Sequence, residues 1–360
     1  MRAALVLARR GLGQVWPNPA VGCVIVKDRH VVGRGWTQQG GRPHAETEAI
    51  KRAGDATRGA TAYVTLEPCS HHGESPPCAE ALVEAGVARV VAAMNDPDPR
   101  VAGQGLNALR AVAIEVKVGV CGDDARAINR GYLKRLSDGL PLVTLKTAIT
   151  TDGRIATESG ESQWITGAES RAEAHRLRAD HDAVAVASAT AIADDPELTC
   201  RLPGMHDRSP VRVLLDAHLR VPTDTKLYAT AHDVPLWVFS AVPPDDPKVL
   251  ERNNTGAEHF TVATDGSGHG VNLRQSFGQL AQRGITRLLA EAGGMLASAL
   301  LRDGLVDDLA VFRAPKLLGG DGIPMIGPLG IEALGQYMPL HRTAVRTLGN
   351  DVVENFRLSD

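Results

Sequence analysis

A histidine, a glutamate and two cysteines stand at a spacing that suits hydrolytic metal chemistry. Pro43-His44-Ala45-Glu46 is followed by Glu67-Pro68-Cys69-Ser70-His71-His72-Gly73 and then by Pro76-Pro77-Cys78. One imidazole and two thiolates, from His44, Cys69 and Cys78, supply three ligands of a tetrahedral Zn2+ and leave the fourth position to water. A metal ion there lowers the pKa of that water toward neutrality. Glu46 lies two residues after His44 at a helix start, where such neighbours do not share a face. It therefore suits a proton shuttle from water to a departing amino group better than a fourth ligand. Glu67 is a second, weaker shuttle candidate that could equally orient its loop. The pattern follows the logic of zinc deaminases, His-x-Glu joined to Pro-Cys and a second Cys. It departs from it in the eight residues between Cys69 and Cys78. Competing readings are a structural zinc site or two cysteines buried as small hydrophobes. His71 and His72 are read as pocket lining rather than ligands.

Upstream, two prolines hold Asn18 of Trp16-Pro17-Asn18-Pro19 in an extended loop. Its amide can donate to and accept from a heterocycle edge, or it can close an Asx-type turn. In the second half, Leu289-Ala290-Glu291-Ala292-Gly293-Gly294-Met295 reads as a strand running into a helix start. Glycines there admit a ligand close to the backbone, and free N–H groups suit a pyrophosphate. A plain structural turn is the alternative. The loop Pro315-Lys316-Leu317-Leu318-Gly319-Gly320-Asp321-Gly322 is equally open.

The elements that position these residues fall into two halves. Strands are predicted over 21–26, 31–36, 61–66, 87–92 and 114–118, with helices at the N-terminus and over 45–53, 78–85, 105–111 and 123–136. Turn formers at Ser137-Asp138-Gly139-Leu140-Pro141 mark a boundary, giving domains 1–140 and 141–360. Beyond it, strands are predicted over 142–147, 182–187, 211–215, 236–239, 259–263, 286–289 and 308–312, with helices over 170–178, 273–282 and 295–302. Residues 243–254 read as a solvent loop. Alternating strands and helices imply an α/β layer in each half. The halves show no internal repeat, so two different activities are expected.

Composition narrows the function classes. The 360 residues are 43% hydrophobic and 22% charged, with a formal net charge of −3. That balance gives no pull toward nucleic acid or an anionic membrane, and 4% aromatics offer few stacking platforms. No run of 18 apolar residues occurs, and MRAALVLARRG reads as a helix rather than a signal peptide. Five cysteines, an odd number in a chain of this length, point to a reducing cytoplasm.

Taken together, PNPAVG, HAE, TLEPCSHHG, PPC and NDPDPRVAGQG resemble the deaminase domain of the bifunctional riboflavin-biosynthesis deaminase/reductase family. LKTAITTDGRIA, SGESQWIT, RLRADHDAVAVASATAIADDPELTCR, LLAEAGGMLASALL and APKLLGG resemble its reductase domain. The resemblance implies a cytidine-deaminase-like α/β/α domain followed by a dihydrofolate-reductase-like α/β domain. It implies deamination of 2,5-diamino-6-ribosylamino-4(3H)-pyrimidinone 5′-phosphate, then NADPH-dependent reduction of the ribosyl group to ribityl. By the same resemblance, His44, Cys69 and Cys78 bind zinc, Glu46 moves protons, and Asn18 belongs to the substrate pocket. Ala148, Trp164, Thr190, Asp194 and Gly293, Gly294, Met295 and Leu296 fall at cofactor positions. Ser162, Arg178, Leu198, Arg201 and Glu291 fall at substrate positions. Arg178 and Arg201 would pair with the phosphate dianion, and Lys146 would lie near the ribosyl oxygens.

Three departures accompany the resemblance. Relatives often begin several residues earlier, so the first helix is expected to be shortened. Glu74 stands where many carry a cation, and Ala217 stands where the family has a ribose-side serine. Expected partners are a small phosphorylated pyrimidine metabolite and further copies of the chain, with no nucleic acid and no membrane. The runner-up reading is a deaminase whose second domain only binds substrate or assembles oligomers.

Overall fold

Short β-branched runs alternate with amphipathic stretches, and in the computed structural model they assemble two units, Met1–Gly139 and Leu140–Asp360. The structure describes residues 1–70, 76–99 and 101–358. His71, His72 and Glu74 lie outside the described residues.

The first unit comprises α1 (Arg2–Ala8), β1 (Gly22–Lys27), β2 (His30–Trp36), α2 (Ala45–Ala53), β3 (Thr61–Val64), α3 (Cys78–Glu84), β4 (Arg89–Ala92), α4 (Gln104–Ala111), β5 (Glu115–Val118), α5 (Gly122–Ile128) and α6 (Arg130–Asp138). Its sheet has the order β2-β1-β3-β4-β5. β1 is antiparallel to both β2 and β3, whereas β3, β4 and β5 are parallel. Cys23, Ile25, Ala62, Val64, Val90 and Ala92 fill the core against apolar residues of the helices. Two glycines let α2 settle onto β2: a Cβ on Gly35 would lie 2.0 Å from the Ala45 carbonyl oxygen, and one on Gly33 2.3 Å from that of Ala49. That close seat fixes where α2 begins, and therefore where His44 stands.

The second unit comprises β6 (Leu142–Thr150), β7 (Arg154–Ala156), α7 (Ala168–Ala179), β8 (Ala183–Ala187), α8 (Ser188–Asp194), β9 (Val211–Leu215), α9 (Lys226–Ala229), β10 (Leu236–Ser240), α10 (Pro247–Asn253), β11 (Glu258–Thr261), α11 (Leu273–Gln282), β12 (Arg287–Glu291), α12 (Gly294–Arg302), β13 (Asp308–Ala314), β14 (Ile323–Pro324), β15 (Leu340–Leu348) and β16 (Asp351–Leu358). A nine-stranded sheet runs β11-β10-β9-β8-β12-β6-β13-β16-β15. It is parallel from β11 to β13, and β16 and β15 close it antiparallel. From β8 the chain steps away to β11, then returns as β12 between β8 and β6 before crossing to β13. The connections after β8 and β12 thus leave in opposite directions. The carboxyl ends of these strands form the crevice where such sheets hold ligands.

Three sequence expectations need correction. Residues 243–254 are not all loop: α10 forms there, with Pro247 in its first turn and the Asp246 carboxylate accepting from the Lys248 N–H at 2.8 Å. The helix expected over 123–136 breaks at Asn129, whose side chain is drawn to Ala20, accepting from its N–H at 2.9 Å and donating to its carbonyl at 3.1 Å. The hairpin β15–β16 was not anticipated, because β15 is almost wholly exposed and carries no apolar alternation. Among the described residues no helix is long and apolar enough to cross a membrane.

Candidate active sites

In the first unit, three element ends converge. His44 is the N-cap of α2, Cys69 follows the end of β3, and Cys78 opens α3. One ligand atom from each lies within 4.8 Å of the others. His44 Nδ1 stands 3.2 Å from Cys78 Sγ and 3.6 Å from Cys69 Sγ. Zn–N bonds of about 2.0 Å and Zn–S bonds of about 2.3 Å at tetrahedral angles put neighbouring N and S atoms about 3.5 Å apart. The three donors therefore fit a zinc ion. The N–H of Cys78 donates to Cys69 Sγ at 3.3 Å, so the α3 start favours a thiolate at Cys69. Hydrogen bonds from Cys78 and His44 pull the Cys69 thiol well below its ordinary value, while the same contact with Cys69, and burial, push Cys78 up.

Glu46, in the first turn of α2, is buried with its carboxyl against the Cys78 sulfur. Burial pushes that carboxyl up, to about 7. Beside the cluster opens a cavity of about 280 Å³, lined by Asn18, His44, Glu46 and Cys69 and, across from them in sequence, by Arg42, Asp96, Asp98, Tyr132 and Arg135. The Asn18 amide donates to the Gly41 carbonyl at 3.2 Å rather than closing an Asx turn. The second wall was not singled out from sequence. Its signal was the paired carboxylates of Asn95-Asp96-Pro97-Asp98-Pro99, quoted for resemblance but given no role. Asp96 is 7% exposed, burial raises its carboxyl, and it accepts from Tyr132 Oη at 3.3 Å and from the Asp98 N–H at 3.0 Å. Glu67, the weaker shuttle candidate, has both its oxygens occupied by backbone N–H groups, the arrangement of a residue that orients its loop.

In the second unit, the candidate residues gather at the carboxyl ends of β6, β8 and β12. Register places Lys146 of β6 beside Glu291 of β12. Arg178, near the end of α7, closes its fork on Glu291: Nε donates to Oε1 at 2.6 Å and Nη2 to Oε2 at 2.9 Å, while Nη1 donates to the Thr199 carbonyl at 3.0 Å. Burial works to raise the Glu291 carboxyl, yet the Arg178 charge outweighs it, with help from Lys146, and holds it at about 2. Burial depresses Lys146. The inner edge of the Arg178 fork is thus committed to Glu291, and only its outer hydrogens remain for a phosphate. Arg201 is half exposed and paired with Glu197 at 2.8 Å. Leu198 is buried, with a left-handed backbone at φ 57°.

The cofactor candidates lie on several elements of the same unit. Thr190 lies in α8, and its Oγ1 would be 3.8 Å from a Cβ built on Gly293. Gly293 is the N-cap of α12, and Met295, in its first turn, is 76% exposed while Leu296 is half-buried. Gly294 is packed: a Cβ there would meet the Pro324 carbonyl oxygen at 2.6 Å. An open backbone at a helix start, at the point where the strand order reverses, fits a dinucleotide pyrophosphate. Ser162 Oγ donates to Asp194 Oδ1 at 3.2 Å. Trp164 is 61% exposed with the Arg171 guanidinium 4.7 Å above its ring, and Ala148 sits in β6 opposite Phe312. Arg220 escaped the sequence reading. Its Nη2 donates to Ser188 Oγ at 2.7 Å, at the start of α8, and its side chain is 58% exposed. Ala217, four positions after Val213 in the same strand-to-loop passage, is buried.

Comparison with known proteins finds matches to both halves of the chain. A family model described as the cytidine and deoxycytidylate deaminase zinc-binding region matches residues 1–94, and one described as the RibD C-terminal domain matches residues 141–354. The riboflavin biosynthesis protein RibD of Escherichia coli (strain K12) is 42% identical over 372 residues, covering 98% of this chain and 96% of that protein. The protein of the same name from Bacillus amyloliquefaciens is 40% identical, with 98% and 94% covered. Among solved structures, Acinetobacter baumannii RibD (form 2) superposes with a TM-score of 0.89 at 38% identity, covering 99% of this chain and 97% of that one. A diaminohydroxyphosphoribosylaminopyrimidine deaminase/5-amino-6-(5-phosphoribosylamino)uracil reductase from Thermotoga maritima gives 0.86 at 31% identity, covering 100% and 97%.

Proposed function

Because the chain belongs to the bifunctional RibD-type deaminase/reductases of riboflavin biosynthesis, we propose that residues 1–140 deaminate 2,5-diamino-6-ribosylamino-4(3H)-pyrimidinone 5′-phosphate and that residues 141–360 reduce the ribosyl group of the product to ribityl. The observation that carries the reading is the convergence of His44, Cys69 and Cys78 within 4.8 Å, with buried Glu46 beside them. A zinc ion held by those three residues supplies the Lewis acidity that makes water nucleophilic near neutral pH. Glu46 takes the proton of the attacking water and delivers it to the departing 2-amino group, which leaves as ammonia. Asn18 presents an amide to the ring edge, and Asp96 and Asp98 offer acceptors to its N–H groups from the opposite wall.

In the second domain NADPH supplies the two electrons. The Gly293–Leu296 turn holds its pyrophosphate, with Ala148, Trp164, Thr190 and Asp194 around it. Arg201, whose exposed partner Glu197 is readily displaced, pairs with the substrate phosphate, and the outer hydrogens of Arg178 add to it. The Arg178–Glu291 pair keeps a fixed polar floor on which Ser162, Leu198 and Lys146 border the ribosyl chain. All five cysteines are free thiols, which suits a cytoplasmic enzyme, and assembly into homo-oligomers is part of the reading.

Purified protein given the diaminopyrimidinone phosphate should show loss of one amino group without NADPH, and a further gain of two hydrogens with it, by mass spectrometry. Glu46→Gln should keep one zinc per chain while deamination falls by about two orders of magnitude and reduction of supplied deaminated substrate continues. Near-normal deamination by that variant would move the shuttle role elsewhere.

A further inference from the structure

Glu67 is a buried carboxylate with no cation among its hydrogen-bond partners in the described residues. It is 3% exposed and lies two residues before the zinc-site cysteine Cys69. Four backbone N–H groups from one loop donate to it: Asp96 at 3.2 Å and Gly103 at 3.0 Å to Oε2, and Gly105 at 3.1 Å and Leu106 at 3.3 Å to Oε1. A carboxylate has about four lone-pair directions, so Glu67 is saturated. Two of its donors lie in the first turn of α4, where N–H groups have no partner within the helix. A second contact binds the same loop to the same strand end. A Cβ on Gly105 would lie 1.9 Å from the Pro68 carbonyl oxygen, so the first turn of α4 rests directly on the residue between Glu67 and Cys69. The loop so held carries Asp96 and Asp98, which line the cavity across from the zinc ligands.

We propose that Glu67 is a positioning residue of the deamination reaction: its carboxylate sets the distance between the Cys69 ligand loop and the Asp96–Asp98 wall, and so sets how the pyrimidine lies over the metal. This rests on the deaminase reading above. Glu67 borders the same cavity, but both its oxygens are held by backbone N–H groups, and it is neither a metal ligand nor a proton carrier in this role. Its contribution is that one side chain spans the two walls which must hold the substrate between them.

Glu67→Gln is the test, since it preserves size and removes one oxygen. Whichever way the amide turns, its NH2 faces two N–H donors, so two hydrogen bonds are lost and the donors oppose one another. Amide exchange at Asp96, Gly103, Gly105 and Leu106 should accelerate. The Michaelis constant for the diaminopyrimidinone phosphate should rise about tenfold with kcat changed much less, as expected when substrate placement is loosened rather than chemistry removed. Zinc content and the kinetics of reduction by the same chain should match the parent. Gly105→Ala is the companion variant, because it leaves Glu67 intact but forces α4 off Pro68, and it should reproduce the rise in the Michaelis constant. Faster exchange with an unchanged Michaelis constant in both variants would reduce Glu67 to a structural tether and overturn the proposal. So would loss of zinc with a fall in kcat alone. A parent protein that does not turn over this substrate refutes the deaminase reading itself, and this role falls with it; a parent that does, beside unaffected variants, refutes only the positioning role.

Discussion

Replacing Gly293 by valine should separate cofactor binding from folding. Gly293 has φ −73° and ψ 170°, a backbone that any residue adopts. A Cβ there meets nothing nearer than Thr190 Oγ1 at 3.8 Å. The substitution is thus accommodated by the protein, and the folded state should lose no more than about 0.5 kcal/mol, as for other surface changes that break no contact. A bound pyrophosphate would not tolerate it. The added side chain stands over the N–H groups that open α12, and displacing a phosphate from one or two charge-assisted hydrogen bonds costs about 1.5–3 kcal/mol each. NADPH affinity should accordingly fall by about 10- to 100-fold at the lower end of that range. Gly294→Val is the contrast: its Cβ would sit 2.6 Å from the Pro324 carbonyl oxygen, so stability should suffer first. Titration of NADPH fluorescence, run beside thermal unfolding, reads both quantities. A Gly293→Val protein that binds NADPH as tightly as the parent would refute the placement and leave this turn as a packing feature.

Other perturbations follow from the same geometry. Arg201→Ala should raise the Michaelis constant of the reductase substrate and leave NADPH affinity unchanged, because among the described residues its ion-pair partner is the half-exposed Glu197; steady-state kinetics with each ligand varied will show it. Arg220→Ala should weaken NADPH about tenfold and NADH hardly at all, since an exposed arginine beside the crevice suits the 2′-phosphate; competitive titration of the two dinucleotides checks this. Glu291 carries a pH signature. Its folded carboxyl sits at about 2 against 4.5 for the free group, a depression worth about 3 kcal/mol at pH 7. That stability is complete above about pH 5 and disappears as pH falls from 4.5 toward 2. Denaturant titrations should therefore find the gap between the parent and Glu291→Gln smaller by about 2 kcal/mol at pH 3 than at pH 7. An unchanged gap would mean that Arg178 does not hold the carboxylate.

The parts of this molecule that were readable from sequence are those where chemistry and local signal coincide. His44, Cys69 and Cys78 each stand at the end of an element whose periodicity was plain, so their convergence could be anticipated. The parallel strands 183–187, 211–215 and 236–240 are near-continuous apolar runs, interrupted by Arg212 and Ser240, which is how fully buried strands announce themselves. The partner of Arg178 could not be read, because Glu291 lies 113 positions away and no local rule links them. Asp96 and Tyr132 are likewise joined across 36 positions. The sequence of β15, Leu340-His341-Arg342-Thr343-Ala344-Val345-Arg346, alternates little because it is an edge strand with solvent on both faces. α10 was overlooked for the opposite reason: its Asp-Pro start reads equally as a turn, and only burial of Val249 and Arg252 distinguishes it.

The position of β6 bears on the order in which the chain can fold. β6 is the first strand of the second unit, yet both its neighbours, β12 and β13, arrive about 140 residues or more later in the sequence. During synthesis the first unit, whose five strands are complete by Val118, can close its sheet at once. The second must wait with the mostly apolar run Leu142–Thr150 unpaired until residues 287–314 have emerged. Contacts of such long range are entropically slow to form, and the apolar strand stays available to wrong partners meanwhile. Chains truncated before β12 should accordingly yield an active deaminase attached to an aggregation-prone tail, rather than a reductase of partial activity.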